Sequence, residues 1–272
     1  MESLYSVYND IAERTKGDIY IGVVGPVRTG KSTFIKKFME TLVVPNIKDP
    51  YDKGRAIDET PQSASGRMIM TTEPKFVPNE AVTITMDDNI SLNVRLVDCV
   101  GFMVKNAIGH MEDEIPRMVK TPWSDYEIPF EEAAAIGTRK VIKDHSTIGV
   151  MITADGSFTQ FTRNDYQEAE ENVIKELKAT GKPFVIILNT AVPDAPETKE
   201  LAKELSEKYS KTVIPIDCLN LNVQSINKIM NGILMDFPVS EICFNLPEWI
   251  LSLDNEHWLR KEVFNAINDS FT

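Results

Sequence analysis

The chain is short of basic charge: 29 Lys and Arg stand against 41 Asp and Glu over 272 residues, a formal net charge of −12. Nucleic acid and anionic lipid both need cationic surface, so neither is expected as a general partner. Long apolar runs are also missing. None approaches the roughly 20 residues of a membrane-spanning helix, and no direct membrane insertion is expected. The first residues, Met1-Glu2-Ser3-Leu4-Tyr5, lack the basic start and apolar stretch of a signal region, so the expected location is cytoplasmic. Cysteine is scarce: Cys99, Cys218 and Cys243 lie far apart and are odd in number, which argues against a disulfide framework and for core thiols. The three histidines, His110, His145 and His257, are too scattered to build a metal site.

The rest of the composition, 42% hydrophobic and 26% charged, is that of one large globular domain or one domain with an appendage. Within it, Gly25-Pro26-Val27-Arg28-Thr29-Gly30-Lys31-Ser32 fits the phosphate-loop pattern G-x-x-x-x-G-K-[ST] at every fixed position. Average residue usage yields such a match in about one chain in a hundred of this length. The flanks make coincidence rarer still: Asp18–Val24 is an apolar run of buried-strand length, and 32–39 repeats its apolar residues at helical spacing. A glycine turn between strand and helix aims backbone N–H groups at an anion. Lys31 is then placed to reach the β- and γ-phosphates, and Ser32 to ligate Mg²⁺. Gly25, Arg28, Thr29, Gly30 and Thr33 complete the candidate nucleotide-binding stretch.

Along the chain, residues 4–17 read as a helix stopped by Gly17. From Val44 to Phe76 the periodicity fades into an irregular connection. Residues 81–86 and 92–98 read as a hairpin around Asp87-Asp88-Asn89, and 101–129 as a second irregular insertion. Helices are expected at 130–143, 165–180 (capped by Asn164), 196–209 and 223–235, with strands at 146–153, 184–189 and 212–217. This alternation predicts an α/β fold, a P-loop NTPase with a mainly parallel sheet, one antiparallel hairpin strand and helices on both faces. Beyond Phe237 the pattern changes: 239–245 reads as an edge strand, and 257–267 as a helix with an apolar face expected to join a core. The expected organisation is an N-terminal helix at 1–17, a nucleotide-binding domain at 18–236 and an extension at 237–272.

Two further elements fit the phosphate loop. Asp98 ends a strand with Gly101 three residues on; Asp98 is placed to hold Mg²⁺ through water and the Gly101 N–H to meet the γ-phosphate. In Met70-Thr71-Thr72-Glu73-Pro74, either Thr71 or Thr72 can offer its hydroxyl to the metal, with Thr72 the metal candidate, and its N–H to the γ-phosphate. The guanine-reading pattern Asn-Lys-x-Asp is degraded to Asn189-Thr190-Ala191-Val192. Without the Asp, guanine's paired donors lose their acceptor, Asp194 comes two residues too late, and ATP is favoured. Phe102 stands where hydrolysing switch proteins keep a water-orienting Gln. Candidate replacements are the Thr71/Thr72 loop, a backbone group and a residue from another subunit. Arg28, within the phosphate loop, is a candidate phosphate contact in cis or across an interface.

Gly17-Asp18-Ile19-Tyr20, 27–38, 70–78, 96–101, Asn245-Leu246-Pro247 and His257-Trp258-Leu259-Arg260 together resemble the stage IV sporulation protein A family of endospore-forming bacteria. That resemblance implies an ATPase on the fold of translation-factor-type GTPases, with Lys31, Thr71, Thr72 and Asp98 as its catalytic residues; slow turnover is expected from Phe102 in place of the Gln. It further implies nucleotide-dependent self-association into a static polymer, the basal layer of the spore coat, at the forespore surface in the mother-cell cytoplasm. Middle and C-terminal domains outside this chain would carry membrane targeting and contacts to other coat morphogenetic proteins. Two other readings are a GTP-type regulatory switch and a non-hydrolysing scaffold stabilised by nucleotide.

Overall fold

The structure is a computed structural model that describes residues 2–61, 74–86, 91–104, 111–112, 115–238 and 244–269. In chain order its elements are α1 (Glu2–Thr15), β1 (Asp18–Val24), α2 (Lys31–Phe38), α3 (Pro50–Glu59), β2 (Lys75–Thr85) and β3 (Ser91–Asp98). The short pair β4 (Met111–Glu112) and β5 (Ile115–Pro116), the hairpin β6 (Met118–Thr121) and β7 (Ser124–Pro129), α4 (Phe130–Lys140) and β8 (Ile148–Ala154) follow. Then come α5 (Arg163–Thr180), β9 (Phe184–Asn189), α6 (Pro196–Tyr209), β10 (Val213–Ile216), α7 (Val223–Met235), α8 (Glu248–Leu251) and α9 (Trp258–Asp269).

Strands β8 and β9 are buried at every residue, the mark of a sheet covered on both sides. The sheet order is β10-β9-β8-β1-β3-β2; every neighbouring pair is parallel except β2 against β3. This is the expected mainly parallel α/β sheet with one antiparallel strand at its edge. Alternate side chains divide between two cores. Ile21, Val150 and Val185 pack with Ile11 of α1, Phe34 of α2 and Ile229 of α7. Met151, Ile186 and Leu188 pack with Val173 of α5 and Leu205 of α6. The helix over the first residues is therefore part of the main core. Met1–Phe237 forms one compact unit and Pro238–Thr272 a second.

Several local expectations change. The irregular connection contains α3, whose start is set by Asp49 accepting from the N–H groups of Tyr51 and Asp52 at 2.9 Å each, with Pro50 in the first turn. Only Ala56 of this helix is buried, which is why no apolar period announces it. The insertion at 101–129 is likewise partly ordered, as the two strand pairs. Helix α5 begins with a capping box of Thr162 and Asp165, so Thr162 takes the capping place expected of Asn164. The expected edge strand falls largely on 239–243, outside the described residues; Phe244 and Asn245 are not in a strand. No described residue of α9 is buried, so its apolar face joins no core. Cys99 and Cys218 are the expected buried thiols, while Cys243 lies outside the described residues.

Candidate functional site

The phosphate loop leaves β1 at its C-terminal end and enters α2 at Lys31. Its shape demands glycine at Gly25: φ is 147° and a Cβ would stand 2.1 Å from the Ile152 carbonyl oxygen. Arg28 takes a left-handed φ of 63°, a conformation that costs an L-residue about 1–2 kcal/mol. Thr29 is buried and donates to the Pro26 carbonyl at 3.0 Å. Lys31 is buried too, its Nζ donating to the carbonyls of Gly25 (3.3 Å) and Pro26 (2.6 Å). Burial pushes the Lys31 pKa down, opposed by the nearby Cys99 and Asp98.

Asp98, at the end of β3, brings the second element to this lysine. Its Oδ2 accepts from Ser32 Oγ at 2.7 Å, while Oδ1 is buried with no hydrogen-bond partner. Burial raises the Asp98 pKa against the opposing pull of Ser32 and Lys31. An orphaned carboxylate oxygen beside a hydroxyl fits Mg²⁺, a hard cation that binds through one or two carboxylates plus water and phosphate. Among the described residues no group of three His, Cys, Asp or Glu gathers to form an all-protein metal cage, in keeping with that mode. Gly101 closes the site: at φ 93° its Cβ would lie 2.0 Å from the Gly25 carbonyl oxygen and 2.7 Å from Lys31 Nζ.

Phosphate loop, Ser32, Asp98 and Gly101 thus come together. Thr33 lies half-buried on α2. Thr71 and Thr72, like Gly66, Arg67 and His110, lie outside the described residues. Phe102 packs against the second core cluster rather than standing free. His145 stacks edge-on to Phe76, and His257 accepts from the Leu259 N–H. Asp155 serves a turn by accepting from Ser157 N, and Arg163 pairs at 2.6 Å with the fully buried Glu170.

Asn189 joins the phosphate loop to the loops beyond β9 and β10. Its Nδ2 donates to the Thr29 carbonyl at 2.9 Å and its Oδ1 accepts from Cys218 N at 3.0 Å. Cys218 escaped sequence reasoning because it contributes a backbone group, which leaves no side-chain signature. Thr190 is buried, its Oγ1 accepting from Val192 N. Val192 and Leu219 are exposed, and Asp194 is turned out to Lys199 at 3.4 Å with its side chain 97% exposed. The one carboxylate of the loop between β9 and α6 is thus directed to solvent.

A family model described as the ATPase domain of stage IV sporulation protein A matches residues 1–238. Proteins named stage IV sporulation protein A from Bacillus anthracis (54% identical), Clostridioides difficile strain 630 (52%) and Bacillus subtilis strain 168 (52%) each align over 97% of this chain. The chain spans about half the length of these curated relatives, 54% of each. Two solved structures of SsGBP mutation variants align over 86% and 94% of this chain and 63% and 65% of theirs, at 14% identity and TM-scores of 0.43 and 0.44.

Proposed function

Since the chain belongs to the stage IV sporulation protein A family, we propose that its phosphate loop binds ATP and that the domain hydrolyses it slowly, in the service of nucleotide-controlled self-assembly during spore formation. The observation that carries the reading is the convergence of Lys31, Ser32, Asp98 and Gly101 on one cradle, with Asp98 Oδ1 left orphaned beside it. Lys31 offers positive charge where the β- and γ-phosphates would lie, and the N–H groups opening α2 add partial positive charge. Bound Mg²⁺, held by Ser32 directly and by Asp98, would neutralise phosphate charge. Hydrolysis adds water to the γ-phosphorus and breaks its bond to the β–γ bridging oxygen, which leaves on ADP. Lys31 stabilises charge on that oxygen. Thr71 or Thr72 is proposed to supply a further γ-phosphate contact.

Adenine rather than guanine is favoured because the loop after Asn189 offers Val192 where a carboxylate would pair with guanine's two donors. Phosphate release with ATP and GTP, for the wild type and Lys31→Ala, tests both parts. ATP turnover abolished in the variant is expected; a GTP preference in the wild type overturns the base reading. Basal-layer polymer formation at the forespore, with coat-protein partners contacted by the remaining half of the family's length, is the larger proposal. Sedimentation of the full-length protein with ATP and with a non-hydrolysable analogue tests it. Equal polymer in both would make nucleotide a folding ligand and the protein a scaffold.

A further inference from the structure

In nucleotide switch proteins the segment after the Asp-x-x-Gly glycine commonly rearranges between nucleotide states and carries the water-orienting side chain. Here it is pinned. The Val27 N–H, inside the phosphate loop, donates to the Phe102 carbonyl at 2.9 Å, and Pro26 and Phe102 form a parallel β-bridge. The side chains on either side are committed to different cores. Phe102 packs against the second cluster, with Val97, Cys99 and Val141 among its members. Val104 is buried with Val27, Ala154, Phe161 and Tyr166 in a third cluster, and Val100 and Met103 pack on its margin. Gly101 sits close against both partners: a methyl group there would stand 2.0 Å from the Gly25 carbonyl oxygen and 2.7 Å from Lys31 Nζ.

We propose that Phe102 is a positioning residue: its side chain, anchored in the second core cluster, holds its own carbonyl on Val27 N–H and so makes 98–104 a fixed wall of the phosphate site. This rests on the ATPase reading for its kinetic consequence, not for its structural one. The partly buried Phe102 ring packs against the second cluster, so a Gln placed there sets a polar group against apolar neighbours. The reaction is completed by a group outside this segment. Loosening the wall misplaces Gly101 relative to Lys31, and misplacement on the ångström scale costs up to about a hundredfold in rate.

The test compares Phe102→Gln and Phe102→Leu with the wild type. Hydrogen exchange at the Val27 amide is expected to speed up at least about tenfold in Phe102→Gln and to stay near wild type in Phe102→Leu, because only the leucine keeps the apolar anchor. Phosphate release is expected to fall about tenfold or more in Phe102→Gln, seen in kcat more than in KM, and to be largely retained in Phe102→Leu. Should Phe102→Gln fold poorly, Phe102→Ala removes the anchor without adding a polar group and is expected to speed Val27 exchange likewise; exchange unchanged in Phe102→Ala overturns the proposal. Turnover raised by the glutamine, or Val27 exchange identical in the glutamine variant and the wild type, overturns the proposal. A wild type that releases no phosphate removes the ATPase reading while Val27 exchange still decides the latch.

Discussion

The two ends of the nucleotide cradle are built to different tolerances. At the phosphate end, added Cβ atoms would stand 2.1 Å from a carbonyl oxygen at Gly25 and 2.0 Å at Gly101, and Lys31 and Thr29 are buried. At the base end, beyond Asn189, Val192 and Leu219 are more than half exposed and Asp194 faces solvent. A tight end fixes what must be positioned to within fractions of an ångström, the triphosphate. An open end can change its residues with little effect on the fold, so on the proposed ATP preference guanine reading would be lost there while the phosphate end stays whole.

The sharpest way to break this contrast is at the tight end. Gly101→Ala forces a side chain against the Gly25 carbonyl in a left-handed backbone, and phosphate release should drop by about a hundredfold or more, with ATP affinity reduced in equilibrium binding. Activity near wild type would mean that Gly101 does not border the reacting phosphate. Next comes the tie between the ends: Asn189→Ala leaves the Thr29 carbonyl and Cys218 N–H unpaired in a buried setting, costing about 1–3 kcal/mol per group. A lowered Tm in denaturation is expected, along with weaker ATP binding.

A smaller effect tests the open end. Val192→Asp restores the missing acceptor at an exposed position, so stability should move by less than about 0.5 kcal/mol. The ratio of GTP to ATP affinity should nonetheless rise several-fold in competition binding. An unchanged ratio would place base reading on another loop. Smallest of all, Asp194→Ala breaks an exposed pair with Lys199 and should change neither stability, within about 0.5 kcal/mol, nor nucleotide affinity. A clear loss of ATP affinity there would show that Asp194 serves the base after all.

The phosphate end was legible in the sequence because a fixed spacing of glycines, Lys31 and Ser32 is forced by backbone geometry. The strands around it were legible because burial on both faces leaves runs such as Phe184–Asn189 without polar interruption. Helix α3 was not, since it buries one residue and its best sign was Asp49 before Pro50, a cap rather than a periodicity. The latch between Val27 and Phe102 is a backbone contact between distant segments, and the tie to Asn189 uses the backbone N–H of Cys218, so neither partner there is marked by its residue type. Helix α9 carries an apolar face at helical spacing that packs into no core, which spacing alone cannot distinguish from a buried one.

That last unit has an optical consequence. Arg260 ties α8 to α9 by donating to the carbonyls of Leu251 and Leu253 at 3.2 and 2.6 Å, so the pair keeps its shape while Trp249 and Trp258 stay more than half exposed. The chain has three tryptophans, and the third, Trp123, has a buried indole nitrogen and sits in the other unit near Lys140. The two units are therefore expected to fluoresce at different wavelengths, the solvated indoles to the red of Trp123. In a Trp123→Phe background the emission belongs to the C-terminal unit alone. Whatever comes to cover that unit will then report itself as a blue shift, without a label.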